Sequence, residues 1–190
     1  MINHKHKFIF IHIPKCAGMS VGKTLCDLVG EDKSNYEGFK IHHDEFNSKI
    51  WEEYFVFTFL RDPIDRLYSQ YRYRDFLYEH DFEYAVKNMK KLYEEHYNTS
   101  RIEDKTGDLQ SVVDYYGEFI HLPTQREFLQ GKCSNQMDKR PYIDFYGKYE
   151  TLQKDFDFVC DKIGLPKTKL SHDNKSQNQK DFRYERQLVK

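Results

Sequence analysis

Residues 7–26, KFIFIHIPKCAGMSVGKTLC, decide the fold, because an apolar run there meets a small, basic, glycine-containing turn and then becomes helical. Phe8, Ile9, Phe10, Ile11 and Ile13 form a near-continuous apolar segment too short for a helix, and their aromatic and β-branched side chains favour extended backbone. The segment reads as a buried parallel strand. Pro14 has no N–H to give to a ladder, and Ala17 and Gly18 keep side-chain bulk out of the turn that follows. From Ser20 onward, Val21, Thr24, Leu25 and Leu28 recur at helical spacing, with Gly30 as the stop. The unit is strand, tight turn, helix.

Such a unit aims the unpaired N–H groups of a first helical turn, and the positive end of the helix dipole, at whatever lies above the strand's carboxyl end. Lys15 adds a positive charge at the mouth of the turn and Ser20 a hydroxyl donor, so a phosphate or similar oxyanion is the expected guest. Within the same stretch, AGMSVGKT (residues 17–24) comes close to the Walker A pattern of triphosphatases and kinases. Ala17 stands where that pattern has its first glycine, and Gly22 and Lys23 fall where the helical spacing has already begun. Lys15 is better placed to meet an anion, and a magnesium-dependent kinase is the alternative.

With 190 residues the chain is expected to form one domain, residues 1–190, with a sizeable core. A formal net charge of −1 gives no global pull toward nucleic acid or anionic membrane, so any anion site must be local. Mean hydropathy of −0.88 points to a highly charged surface. Cys16, Cys26, Cys133 and Cys160 form no C-x-x-C pair and have no histidines at zinc-finger spacing, so neither a metal site nor a disulfide framework is expected. Reduced thiols and a cytoplasmic location follow, since MINHKHK runs into a strand with no apolar leader and no segment reaches membrane-spanning length. His4, His6 and His12 alternate in sequence, and exposed histidines are the simpler reading of them.

Beyond a polar loop at 31–38, Phe39 to Ile41 suggest a short strand ending in His42 and His43. Histidines just past a strand sit at the functional edge of an open α/β sheet, and a neutral imidazole takes a proton near pH 7. Either is a candidate general base, with Asp44 or Glu45 in reserve; the alternative is a pair of surface histidines. After a short helix over Glu45 to Glu53, YFVFTFLRDP (54–63) is the second strong strand. Asp62 followed by Pro63 reads as an N-cap with proline at the first helical position, and Asp65 adds negative charge to the first turn. Arg66, Ser69, Gln70 and Tyr73 share one face of that helix. Arg61 and Ser69 can converge on a second anion, the planar guanidinium bonding two oxygens at once.

FIFIHIPKCAGMS followed by FTFLRDPIDRLYSQY resembles the paired signatures of sulfotransferases that use 3′-phosphoadenosine 5′-phosphosulfate (PAPS), specifically the carbohydrate sulfotransferases, whose first signature reads roughly HIPKTAGTS. Cys16 and Met19 replace the usual threonines, which removes hydroxyls but leaves backbone donors. The resemblance implies that Lys15, Cys16, Ala17, Gly18, Met19 and Ser20 grip the 5′ phosphosulfate, with Lys15 beside the oxygen bridging phosphorus and sulfur. It implies that Arg61 and Ser69 hold the 3′ phosphate. Two anion sites on neighbouring strand ends suit a nucleotide phosphorylated on both sides of its ribose, whereas a triphosphate needs one.

Farther along, residues 74–97 carry Phe82, Ala85, Val86, Met89 and Tyr93 at helical spacing, read as core, and 98–110 read as a loop bordering the acceptor site. A helix is expected around Thr124 to Leu129, with Gln125 and Arg126 toward the cleft. Tyr142 to Tyr146 reads as a third strand, followed by an amphipathic helix bearing Leu152, Phe156, Val159 and Ile163 and ended by Gly164. That part also resembles the family, with Lys148 and Tyr149 standing for an arginine and a phenylalanine, and Glu150 bracing the helix. Relatives share the Asn174-Lys175-Ser176 triplet, which makes Lys175 a further candidate for the nucleotide. The expected fold is α/β, a mainly parallel central sheet with helices on both faces, related to the P-loop nucleotide-binding folds. The reaction the resemblance implies is sulfuryl transfer from PAPS to an acceptor hydroxyl, on a carbohydrate, without a metal; a binding module that has lost turnover is the other alternative.

Overall fold

A computed structural model of the chain describes residues 1–32, 36, 48–97, 121–129 and 143–170. The chain divides into two compact units, Met1–Arg61 with Gln136–Asn174, and Asp62–Asn135 with Lys175–Lys190.

The first unit is built on a four-stranded sheet in the order β1-β2-β3-β4. Its strands are β1 (Ile2–Asn3), β2 (Phe8–Ile11), β3 (Phe55–Leu60) and β4 (Phe145–Lys148). β2 pairs with β3, and β3 with β4, in parallel; β1 turns back antiparallel on β2. The sheet is therefore mixed, with the mainly parallel centre expected from its apolar runs. The polar leader expected before β2 is instead the antiparallel edge: Asn3 accepts from the His6 N–H across the turn, and Lys7 takes a positive φ of 48° to close it. His4 Nδ1 lies 2.7 Å from the Tyr54 hydroxyl, and His6 Nδ1 lies 3.2 Å from the Ile163 carbonyl.

Alternation along the strands sorts two apolar faces. Phe8, Phe10, Phe57 and Phe59 pack against α1 (Gly18–Val29) and α8 (Leu152–Ile163), through Val21 and Leu25 of the first helix and Phe156, Val159 and Ile163 of the second. On the opposite face Ile9, Ile11 and Val56 are covered by Ile50 of α2 (Ser48–Glu53), Tyr54 and Ile143. Helices thus lie on both faces. Aromatic rings supply much of the first layer, Phe10 and Phe57 stacking at 5.2 Å.

β4 begins three residues later than the sequence suggests. Backbone and side chain of Asp144 are both tied to Val56, at 2.8 and 2.7 Å, and the ladder starts only after that clamp. Gly147 then admits the ring of Phe59, where a Cβ would collide with it. The entrance of α8 is braced by Asp155, whose Oδ2 accepts from the Lys148 N–H and the Thr151 hydroxyl, each at 2.7 Å.

The second unit opens with α3 (Pro63–Tyr71), followed by α4 (Asp75–Tyr78), α5 (Phe82–Lys87), α6 (Met89–His96) and α7 (Gln125–Leu129). Asp62 caps α3 as its sequence predicts, Oδ1 accepting from the N–H groups of Ile64 and Asp65 at 3.0 and 3.1 Å. Tyr68, Tyr71, Leu77, Phe82, Ala85, Met89, Leu92 and Tyr93 form this unit's core, so the aromatic stripe is structural, as expected. Gln70, which the sequence places on one helix face with Arg66, Ser69 and Tyr73, turns inward. It is 1% exposed and donates to the Tyr93 hydroxyl and toward Met89 Sδ, both on α6. Among the described residues no helix is long and apolar enough to cross a membrane.

Candidate active site

β2 delivers the chain into the turn at Pro14–Ala17, and the turn's shape is set by backbone rather than side chains. The Cys16 N–H donates to the Ile13 carbonyl at 3.3 Å, and the Cys16 side chain is buried in the core. Lys15 and Ala17 both adopt left-handed backbone, each with φ 65°. Two such residues in four reverse the chain tightly enough for α1 to begin at Gly18, two residues before the spacing suggests. The first intrahelical bond runs from the Val21 N–H to the Ala17 carbonyl at 3.1 Å. The N–H groups of Gly18, Met19 and Ser20 precede it and have no acceptor within the helix.

The N-cap residue is Ala17, whose side chain cannot cap, and no acidic residue stands in the first turn of α1. The N-terminus of this helix therefore keeps its positive partial charge, beside half-buried Lys15. These donors suit a phosphate or similar oxyanion. Ser20 sits in the same turn, and its carbonyl accepts from Thr24 Oγ1 at 2.7 Å.

Arg61 leaves the end of β3 beside this turn and donates Nη1 to the Lys15 carbonyl at 3.3 Å. Its guanidinium also stacks on Tyr149, 4.1 Å from the ring centroid. The register explains the meeting. β2 and β3 run parallel with Ile11 opposite Thr58, and Thr58 Oγ1 donates to the Ile11 carbonyl at 2.8 Å, so both strands run out on the same edge of the sheet. The Arg61 guanidinium of the second signature thus meets the Lys15 backbone of the first.

Sequence reasoning passed over His12, which it grouped with the exposed histidines. His12 is buried, stacks on Phe10 at 6.2 Å, and lies parallel to the Tyr36 ring at 6.0 Å, with its Nδ1 3.1 Å from the Tyr36 hydroxyl. A Cβ on Gly18 would fall within the His12 imidazole, and one on Gly22 within the Tyr36 ring. The two glycines, one helical turn apart on α1, are the floor on which the stacked rings lie. Their spacing was the available signal, since small residues at i and i+4 mark a close approach. Gly22 thus has a packing role inside α1, and Lys23 follows it inside the same helix, so the glycine–lysine pair of the Walker-like run does not stand in the turn after β2. The carboxylate of Asp62 caps α3.

Ser69 lies on α3, half-buried, in the second unit. Gln125 and Arg126 are on α7 of that unit. His42, His43, Asp44, Glu45, Lys175, the strand suggested at 39–41 and the loop at 98–110 lie outside the described residues.

Burial pushes the thiols of Cys26 and Cys160 up to about 11, aided by acidic neighbours, and raises the Tyr36 phenol far above its ordinary value. These are inert, structural groups at neutral pH.

A family model described as the sulfotransferase family matches residues 1–188. The chain belongs to that family. As a sulfotransferase-family chain it is 27% identical to human carbohydrate sulfotransferase 9 over 209 residues, covering 100% of this chain and 46% of that protein. It is 23% identical to mouse carbohydrate sulfotransferase 11 over 187 residues, covering 87% of this chain and 53% of that protein. The chain spans about half the length of the curated relatives it matches. No solved structure matches it.

Proposed function

We propose that the chain moves a sulfuryl group from PAPS to a hydroxyl on a carbohydrate, releasing adenosine 3′,5′-bisphosphate. The observation that carries this reading is the meeting of Arg61 with the Lys15 carbonyl at 3.3 Å, on the edge where β2 and β3 both end. A nucleotide bearing anions on both sides of its ribose needs two cations close together on separate elements. Lys15, the first-turn N–H groups of α1 and the Ser20 hydroxyl hold the 5′ phosphosulfate; Cys16 and Ala17 shape the turn that presents them. Arg61 takes the 3′ phosphate, and the sequence resemblance adds Ser69 and Lys175 to the nucleotide's ligands.

PAPS, when bound, supplies the electrophilic sulfuryl group and a bisphosphate leaving group. As the bond to sulfur breaks, negative charge grows on the oxygen that remains with phosphorus. Lys15 and the helix N-terminus are charges fixed in advance beside it, which is the arrangement that lowers such a barrier most. The acceptor hydroxyl loses its proton to a base, assigned to His43 or His42. A placed base contributes roughly 100- to 10,000-fold. The names of both relatives favour a carbohydrate acceptor.

Calorimetry with adenosine 3′,5′-bisphosphate in the presence of a chelator, followed by transfer of labelled sulfate from PAPS to a panel of glycans, tests the proposal. Micromolar or tighter metal-independent binding and label on a glycan are expected. Binding of ATP that requires magnesium, with none of the bisphosphate, would replace this reading with a kinase.

A further inference from the structure

The parallel register between β3 and β4 ends on the pair Leu60 and Lys148. The next residues along, Arg61 and Tyr149, therefore leave their strands side by side, and the Arg61 Cζ comes to lie 4.1 Å above the Tyr149 ring. One edge of the same guanidinium donates to the Lys15 carbonyl. A face contact draws on the ring's quadrupole and uses none of the five N–H donors of arginine. It fixes the plane of the fork without competing with an anion for it.

Tyr149 is itself held in place. The Lys148 N–H before it and the Thr151 hydroxyl after it both donate to Asp155 Oδ2 at 2.7 Å. The ring remains 39% exposed, well outside the two apolar layers that cover the sheet, so burial does not explain its position.

We infer that Tyr149 is a positioning residue for nucleotide recognition: its ring sets the orientation of the Arg61 guanidinium so that the planar fork meets two oxygens of the 3′ phosphate. The inference rests on the assignment of Arg61 to that phosphate. A stacked, doubly anchored arginine has less rotamer freedom to lose when it binds, which is how such a contact raises affinity. Tyr149 acts through Arg61 alone, so its effect is confined to ligands that carry a 3′ phosphate.

The test compares binding of adenosine 3′,5′-bisphosphate and adenosine 5′-monophosphate by calorimetry, using the full chain and the variants Tyr149→Leu, Tyr149→Phe, Arg61→Ala and the double variant. Tyr149→Leu is expected to weaken the bisphosphate roughly two- to fivefold and leave the monophosphate unchanged, on the scale of one exposed cation–π contact. Tyr149→Phe keeps the ring face and should bind as the parent does. In the Arg61→Ala background, Tyr149→Leu should have no further effect, since its route is gone. Equal weakening of both nucleotides by Tyr149→Leu, or a further loss in the Arg61→Ala background, overturns the inference and leaves Arg61 in place. If Arg61→Ala itself fails to discriminate the two nucleotides, the assignment of Arg61 falls and the inference with it. Should Tyr149→Leu fail to fold, Tyr149→Gln gives the same comparison with a polar side chain that lacks the ring.

Discussion

Ala17 holds φ 65°, ψ 14° at the head of α1, a conformation in which a Cβ crowds the following carbonyl. The turn keeps this strained alanine where glycine would be relaxed. Ala17→Gly should stabilise the chain by about 1 kcal/mol, the relief of strain exceeding the added freedom of the unfolded chain. Urea denaturation measures it, and a loss of stability would mean that the alanine methyl makes a contact worth more than the strain. At the next residue, Gly18→Ala drives a methyl into the His12 ring and should destabilise the chain or abolish folding. His12→Ala in the same molecule should recover part of that loss, because the collision partner is gone; no recovery would remove His12 as the reason for glycine. Under the proposed role of Lys15, Lys15→Ala is expected to lose nucleotide affinity and transfer rate together, since one charge would serve both the bound and the departing phosphate. A variant that binds bisphosphate as the parent does but transfers slowly would confine Lys15 to the bond-breaking step.

The start of helix α3 is specified by three residues within four positions. Asp62 accepts from two first-turn N–H groups, Pro63 starts the helix with a preset φ, and Asp65 complements the dipole. Asp62→Ala should lower stability by about 1 kcal/mol, read from the urea midpoint at constant m-value. A drop near zero would show that neighbouring groups cap the helix in its place. Elements of this kind were legible because their determinants are local: β2, β3, α1 and α8 follow from short apolar runs or helical spacing. β4 was displaced in the sequence reading because its start depends on the Asp144–Val56 clamp, and those residues are 88 apart in the chain. The burial of Gln70 lies beyond local reading for the same reason, its partner Tyr93 lying on another helix.

For the whole molecule, the buried thiols of Cys26 and Cys160 set an alkaline limit. Their folded values of about 11 stand above the ordinary thiol value of 9.0, so the folded state holds protons that the unfolded chain releases. Their contribution to stability is complete below about pH 9 and is lost as the pH climbs toward 11. Melting temperature should fall across that window, and replacing both cysteines with alanine should flatten the slope; an unchanged slope would assign it to other groups. Ligand linkage runs the other way, and adenosine 3′,5′-bisphosphate at a hundred times its dissociation constant should stabilise the chain by roughly 2.7 kcal/mol without added metal.

The amino-acid sequence by itself determined the strand–turn–helix at residues 7–26, the capped helix after Asp62, and the chemistry gathered at the turn: a lysine, small residues, and an arginine at the next strand's end. Each depends on neighbours in the chain, where periodicity and capping act. Only the tertiary structure decided that the Arg61 guanidinium meets the Lys15 carbonyl and the Tyr149 ring, that His12 and Tyr36 lie stacked over Gly18 and Gly22, and that Cys16 turns into the core. Those contacts follow from strand register and from how closely a helix can approach a ring, and neither quantity is carried by any one stretch of sequence.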